Sequence, residues 1–417
     1  MIPTPLPRGA VVDVPDSLRI DAASASVYDV VILGAGCAGL SLGLALVSEG
    51  VAGRILLVDA RTDYEDDRTW CFWDVEPTPF THLARATWET WSVRSTDGTA
   101  RATASATPYR CLSANDFYRF ALDSLAASGR VEILLGAAAG DITTVGDHLA
   151  ISVGDGSIEA RRVVDSRGLR PGSAELEAAR QTSTWLPQHF VGLHLRASRP
   201  VFDPSECTLM DFDVDQSAGL RFVYVLPLSP FEALVEDVSL SDPALTDDDH
   251  RRNLSDHLRE RFGLGPDEYE IVSEERGCIP MTDHLFARRP RPGVTTLGTL
   301  AGATRPSTGY TFLRIQRSSR DLARALAAGS DGPADTVARR PLLDSIFLRF
   351  LAEHPERGPR VFHLMFARVR PDALIRFLSE QSTVLDHLRL VVALPKGWFL
   401  ATAFRELAAR SRRGHRR

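Results

Sequence analysis

The sequence predicts an α/β protein: a Rossmann-type nucleotide-binding domain, an antiparallel β-sheet domain inserted into it, and a helical C-terminal cap. Three observations lead there. A strand, glycine turn, helix and second strand open the chain at residues 28–59. Four β-rich runs fill residues 188–242, and from Pro341 onward the pattern is helical and amphipathic.

In the first unit an apolar strand, YDVVIL, runs into Gly34-Ala-Gly36-Cys-Ala-Gly39. Gly34 permits the tight turn, Gly36 lets a pyrophosphate approach the backbone, and Gly39 lets the helix pack on the strand. The helix N-terminus offers free N–H groups and the positive end of its dipole to phosphate. The second strand, ILLV, stops at Asp59, 20 residues beyond Gly39, where a carboxylate accepts hydrogen bonds from ribose hydroxyls. This is an ADP-binding βαβ unit. Its N-terminal place favours FAD held throughout a catalytic cycle, although the fingerprint by itself does not separate FAD from NAD.

Composition narrows the field. A chain of 417 residues has room for two to three domains. A net charge of −6 gives no electrostatic footprint for nucleic acid. Lys396 is the only lysine among 48 basic residues, a skew that reflects composition rather than phosphate binding. Five scattered cysteines without a CxxC pair point to a reducing compartment and away from a disulfide framework or a zinc site. Residues 1–27 lack a charged start followed by an apolar core and read as a disordered tail. No stretch approaches the roughly 18 apolar residues of a membrane span, so the protein is expected to be soluble or peripheral.

After Asp59 an acidic loop leads into Arg68 and Thr69-Trp70-Cys71-Phe72-Trp73, whose three aromatics read either as a core plug beneath the first sheet or as a ligand wall. Residues 86–112 alternate and turn like a hairpin around Asp97-Gly98, and residues 117–126 are helical behind the caps Ser113 and Asn115. Residues 131–135 read as a strand. A hairpin rhythm follows and delivers Val163-Val164-Asp165-Ser166-Arg167-Gly168 onto a glycine turn, expected near the ADP. The runs from Gln188 form the antiparallel sheet, residues 247–262 a charged helix, and residues 269–277 another strand. A second glycine-rich loop, residues 298–310, opens the helix 311–328, and its N–H groups suit the pyrimidine edge of a flavin. The nucleotide-binding domain is therefore assigned residues 28–85, 110–180 and 278–330. The β-rich domain takes 86–109 and 181–277, and the cap takes 331–417 after a Gly/Asp/Pro linker at 330–340.

DRTWCFWD at 67–74, FVYVLPLSPFEALVEDVSLSD at 222–242 and AGATRPSTGYTF at 301–312 resemble the bacterial lycopene β-cyclase family, as do QHFVGLHLRASRP and MDFDVDQSAGLRF between them. The resemblance spans about residues 28–320 in order; the C-terminal cap matches only in character. It implies a glutathione-reductase-like two-domain flavoprotein that holds FAD, takes electrons from NAD(P)H and uses reduced FAD without net redox change. It would close β-ionone rings on lycopene or a related linear carotenoid. It also implies a cytoplasmic protein resting on the membrane surface. The amphipathic cap helices read equally as an ordinary core helix pair or as a face on the bilayer, and in the second case Phe377, Trp398 and Phe399 are the expected contact.

The family's essential acid falls on Glu236, with Asp237 beside it, and its usual threonine is Val238 here. Its PSTGY-type loop falls on Pro306 to Tyr310 unchanged. The implied cofactor residues are Gly34, Gly36, Gly39, Asp59, Arg68, Gly302, Pro306, Thr308, Gly309 and Tyr310, and the implied substrate residues are Trp70, Phe72 and Trp73. The chemistry agrees with this assignment. An alkene is a poor base, so its protonation needs a carboxylic acid kept neutral, and burial beside a second carboxylate does that. Strand neighbours point to opposite faces, so only one of Glu236 and Asp237 can enter a tunnel. A flavin-dependent hydroxylase or polyprenyl reductase, a cyclase of another linear terpenoid, and a carotenoid carrier stay open as alternatives; ring number and oligomeric state are not legible.

Overall fold

The computed structural model describes residues 11–22, 26–332 and 341–414, with side chains up to residue 407. The first unit is β1 (Tyr28–Leu33), α1 (Cys37–Ser48) and β2 (Ile55–Val58). The chain then leaves for β3 (Thr69–Trp73), β4 (Ala86–Trp88), the hairpin β5 (Thr90–Ser95) and β6 (Gly98–Thr103), and β7 (Tyr109–Ser113). Ser113 caps α2 (Ala114–Ser128) by accepting from the Asp116 N–H at 3.2 Å, and Gly129 ends it in the left-handed region. Next come β8 (Val131–Leu134), β9 (Ala139–Val145), β10 (His148–Val153), β11 (Gly156–Asp165) and α3 (Ala174–Thr182).

The long excursion is β12 (Gln188–Ala197), β13 (Glu206–Asp211), β14 (Leu220–Pro227), β15 (Glu232–Leu240), α4 (Asp247–Phe262) and β16 (Tyr269–Ile279). A Thr246/Asp249 capping box starts α4. The chain returns through β17 (Val294–Thr296) and α5 (Phe312–Ala327). It closes with α6 (Leu342–Glu353), α7 (Gly358–Arg368), α8 (Pro371–Leu378), α9 (Val384–Ala393) and α10 (Lys396–Gly414).

Three sheets result. The first runs β8-β2-β1-β11-β10-β9 with β17 also on β11; β8, β2, β1, β11 and β17 are parallel, and β9 to β11 form an antiparallel extension. The second runs β16-β12-β15-β14-β13-β5-β6 and departs from the expected antiparallel sheet at one junction. There the early hairpin β5-β6 joins edge to edge with β13, and that pair is parallel. The third is the small antiparallel sheet β3-β7-β4.

The period-2 pattern of β15 decides what faces what. Ala233 and Val235 share an apolar core with Leu254 and Leu258 of α4, on one side of the second sheet. Leu234, Val238 and Leu240 share another with Trp73, Tyr109 and the cap helices, on the other side. Glu236 belongs to that second face, beneath the small sheet.

Two expectations are corrected. Residues 1–27 were assigned to a disordered tail, but Val12 pairs with Tyr64, Leu18 is fully buried, and Ile20 N–H donates to the Ile133 carbonyl at 3.0 Å. Apolar side chains every few residues anchor this segment along β8; residues 1–10 and 23–25 lie outside the described residues. The expected membrane contacts also point inward. Phe377 is buried, Phe399 stacks on Phe350 at 4.2 Å, and Trp398 lies beneath the guanidinium groups of Arg357 and Arg360. The large apolar side chains of the cap left exposed among the described residues are instead Val384, Leu385, Leu388, Val391 and Val392 of α9 with Leu400, Phe404 and Leu407 of α10. Residues 333–340 of the expected linker lie outside the described residues. Among the described residues no helix is long and apolar enough to cross a membrane.

Candidate active site

The glycine turn has the shape that its spacing predicts. Gly34 sits at φ +92°, and a Cβ on Gly39 would lie 1.9 Å from the Gly34 carbonyl oxygen, so helix and strand touch there only because Gly39 has no side chain. A Cβ on Gly36 would meet only Arg61 Nη2, at 3.7 Å, so the backbone there stays open to a ligand. The N-cap of α1 is Gly36, which has no side chain to cap the helix. Asp59 Oδ2 accepts from the Ala35 N–H at 2.6 Å, which brings the carboxylate to the turn. Arg61 lies 3.4 Å from Asp59 and beneath its guanidinium are the rings of Tyr64 and Tyr118, while the charge of Arg68 acts on Cys37 in the first helical turn. Burial nevertheless pushes the Cys37 thiol up to about 12, so it stays neutral. Open backbone, free N–H groups and two nearby arginines fit a dinucleotide pyrophosphate. The turn after β11 joins this site, as Ser166 Oγ donates to the Gly34 carbonyl at 2.9 Å.

The second glycine loop is braced from the cap. Arg305 and Ser307 hold Asp344 of α6 at 2.9 and 2.7 Å, all buried, and Arg305 also donates to the Phe377 carbonyl. Gly302 and Gly309 both sit at φ +72°, a conformation in which glycine is favoured. The Gly309 N–H bonds the Arg305 carbonyl and the Thr308 hydroxyl accepts from the Tyr310 N–H, which shapes the loop containing Pro306. No side chain caps the N-terminus of α5. A cleft lined by Phe72, Trp73, Tyr310, Phe312 and Leu378, and by the charged Arg305, Arg314, Arg317 and Glu380, opens beside it.

Behind Tyr310 lies a buried polar chain. Tyr109 and Tyr310 hydroxyls are 3.4 Å apart, and Tyr224 donates to Tyr109 at 2.9 Å. Burial raises all three phenols, Tyr310 to about 12, so each is a neutral hydrogen-bonding group. Tyr224 begins a row across four strands: Tyr224 on β14, Glu236 on β15, Gly192 on β12 and Glu275 on β16 are directly opposite in register. A Cβ on Gly192 would lie 2.8 Å from Glu236 Cγ, so the missing side chain lets the two carboxyl groups meet. Glu236 and Glu275 flank Gly192 on the same face of the sheet. Thr69 Oγ1 donates to Glu275 Oε2 at 2.8 Å, and His194 Nε2 lies 3.1 Å from the same oxygen. Burial first, and the Glu275 charge second, hold the Glu236 carboxyl well above the usual carboxylate range.

Asp237 sits on the opposite face. It is fully buried against Arg221 Nε at 2.7 Å, His250 Nδ1 at 2.7 Å and Asn253 Nδ2 at 3.0 Å, on the α4 side of the sheet. The aromatic trio is divided by the same alternation. Trp70 and Phe72 pack on Phe117 and Phe312, whereas Trp73 packs on Trp91 and Tyr109 on the Glu236 side. The sequence reading brings Glu236, Trp73 and Tyr310 to one region, and it passed over Glu275, His194, Tyr224 and Gly192. One signal pointed to them: an isolated glycine inside the apolar run HFVGLHL marks a close approach across a strand.

Comparison with known proteins bears on the family and the fold. The family described as "Lycopene cyclase protein" matches residues 29–403. A lycopene beta-cyclase from a Paracoccus species is 30% identical over 398 residues, covering 88% of this chain and 94% of the relative. Among solved structures, a geranylgeranyl bacteriochlorophyll reductase-like protein from Thermoplasma acidophilum has a TM-score of 0.58 at 14% identity, over 88% of this chain and 96% of that one. A halogenase variant solved in complex with FAD has a TM-score of 0.53 at 12% identity, over 90% and 86%. The architecture is that of FAD-dependent flavoproteins, and the match along most of the chain leaves one assignment: this protein belongs to the lycopene cyclase family.

Proposed function

We propose that the chain is a lycopene β-cyclase in carotenoid biosynthesis, which converts the linear ends of lycopene to β-ionone rings by acid catalysis. The observation that carries this reading is Glu236: a buried carboxyl group that desolvation and a neighbouring carboxylate hold well above the usual carboxylate range. Such a group is the proton donor that an unactivated alkene requires. Gly34, Gly36, Gly39, Asp59, Arg61 and Arg68 would hold the ADP part of FAD, and the 302–310 loop with the N-terminus of α5 its ring. When bound, reduced FAD supplies negative charge that stabilises cationic species, and NAD(P)H supplies the electrons that keep it reduced.

The protein's own groups perform the rest. Glu236 gives its proton to the terminal double bond. Burial would exclude water that traps the cation, and Trp73, packed against Tyr109 at 4.6 Å, would lend its ring to stabilising positive charge. Glu236, now a carboxylate, takes back a proton from the ring carbon, which forms the ring double bond and restores the resting site. The exposed apolar face of α9 and α10 is the contact with the bilayer that dissolves the substrate.

The test is pigment extraction from a lycopene-accumulating host. The wild-type chain should yield cyclic carotene. Glu236→Gln, which keeps the shape but has no proton to give, should leave lycopene unchanged while FAD content stays normal. Wild-type conversion by Glu236→Gln would remove this residue from the mechanism.

A further inference from the structure

We propose that Glu275 is the positioning partner of Glu236: the two carboxyl groups meet across the bare Cα of Gly192 and hold one proton between them. The inference rests on Glu236 being the donor, and it adds the group that keeps Glu236 charged with a proton. The geometry assigns the roles. Glu275 Oε2 receives Thr69 Oγ1 at 2.8 Å and faces His194 Nε2 at 3.1 Å, and Glu236 lies across Gly192 from it in register. The proton is placed on Glu236, because burial holds its carboxyl well above the usual carboxylate range, and Glu275, steadied by the Thr69 hydroxyl, accepts from it. The titratable groups facing Glu236 are Glu275 on β16, Tyr224 on β14, Cys71 on β3 and Cys111 on β7, with His194 of β12 against Glu275.

This arrangement serves both halves of the reaction. In the first, the O–H bond of Glu236 breaks and a C–H bond forms with the π electrons of the terminal alkene. A second π bond of the substrate then closes the ring on the resulting cation. The pair now holds two carboxylates in contact, a state that like charges disfavour. In the second half a ring C–H bond breaks, its electrons become the ring double bond, and the proton returns to the pair. Nothing is oxidised or reduced, and the product is an isomer of the substrate.

The test compares Glu275→Gln, Gly192→Ala and Glu236→Gln with the wild type by two readouts on the FAD-loaded enzyme. The first is the pH profile of cyclisation. The active form of Glu236 is protonated, so activity falls as pH rises through its pKa. Removing the neighbouring charge lowers that pKa and should move the fall to lower pH by about one unit or more, with FAD content unchanged. Gly192→Ala keeps both carboxyl groups but drives a methyl between them, 2.8 Å from Glu236 Cγ, and should shift the profile in the same direction. The second is infrared difference spectroscopy of the protonated carboxyl band, which does not depend on turnover. The band should be present at pH 7, absent in Glu236→Gln, and titrate at lower pH in the other two variants. Profiles and bands in Glu275→Gln and Gly192→Ala that coincide with the wild type would overturn the pair. An active Glu236→Gln with the band lost would instead overturn the assignment of the donor and leave the pair standing.

Discussion

At the scale of single residues, adjacent carboxylates on one strand have different surroundings. Glu236 faces an apolar interior and a like charge, while Asp237 faces Arg221, His250 and Asn253. The first environment favours the protonated carboxyl, and the second fastens β15 to β14 and α4. Asp237→Asn should therefore act on stability, because it leaves the buried Arg221 without its counter-charge. A loss of about 3–5 kcal/mol is expected, as for other broken buried pairs. Chemical denaturation of the two variants checks this: Asp237→Asn should unfold at clearly lower denaturant and retain cyclisation where folded. Glu236→Gln should show the reverse. Equal stability of Asp237→Asn and the wild type would mean that its ion pairs contribute nothing.

At the scale of elements, α9 presents its apolar residues on the wrong side for a core helix. Val384, Leu385, Leu388, Val391 and Val392 follow i, i+1, i+4, i+7 and i+8 spacing and are exposed, while Leu390 and Ala393 pack inward. Phe404 of α10 extends the face. A bilayer is the environment in which that pattern is favourable. In liposome flotation the full-length chain should float, and Leu388→Glu with Val392→Glu should weaken flotation about tenfold or more. Both positions are exposed, so thermal stability should not change. Substitutions at Phe377 or Phe399 should destabilise the cap instead, since both are packed inside it. Undiminished flotation of the double variant would place the contact elsewhere.

At the scale of the whole molecule, the proposed site lies where three layers meet. The second sheet supplies Glu236 and Glu275, the small sheet lays Thr69, Cys71 and Tyr109 over them, and the second glycine loop adds Tyr310. The Arg305–Asp344 pair links that loop to the cap. A redox enzyme on the same fold would spend one reductant per product. The isomerase reading predicts many product molecules per electron pair once the enzyme has been reduced anaerobically. Stoichiometric use of NADPH, followed by its absorbance alongside product, would favour a hydroxylase or reductase instead.

The sequence by itself determined what depends on neighbours along the chain. The turn Gly34–Gly39, Asp59 at the end of β2, the Thr246 start of α4 and the alternation that separates Glu236 from Asp237 are all set by local spacing. Family motifs lie in the same local windows, which is why the fold and the family were legible. Only the tertiary structure decided that Glu236 meets Glu275, because the two are joined through a third strand and through a glycine that carries no chemistry of its own. It also decided that Trp70 and Trp73 part company and that the segment around Leu18 is core. The outward face of α9 came from the same source, because helical periodicity shows that a helix has an apolar side but not which side its neighbours cover. Pairing across strands and coverage of faces are long-range choices, made by packing after the local pattern has been satisfied.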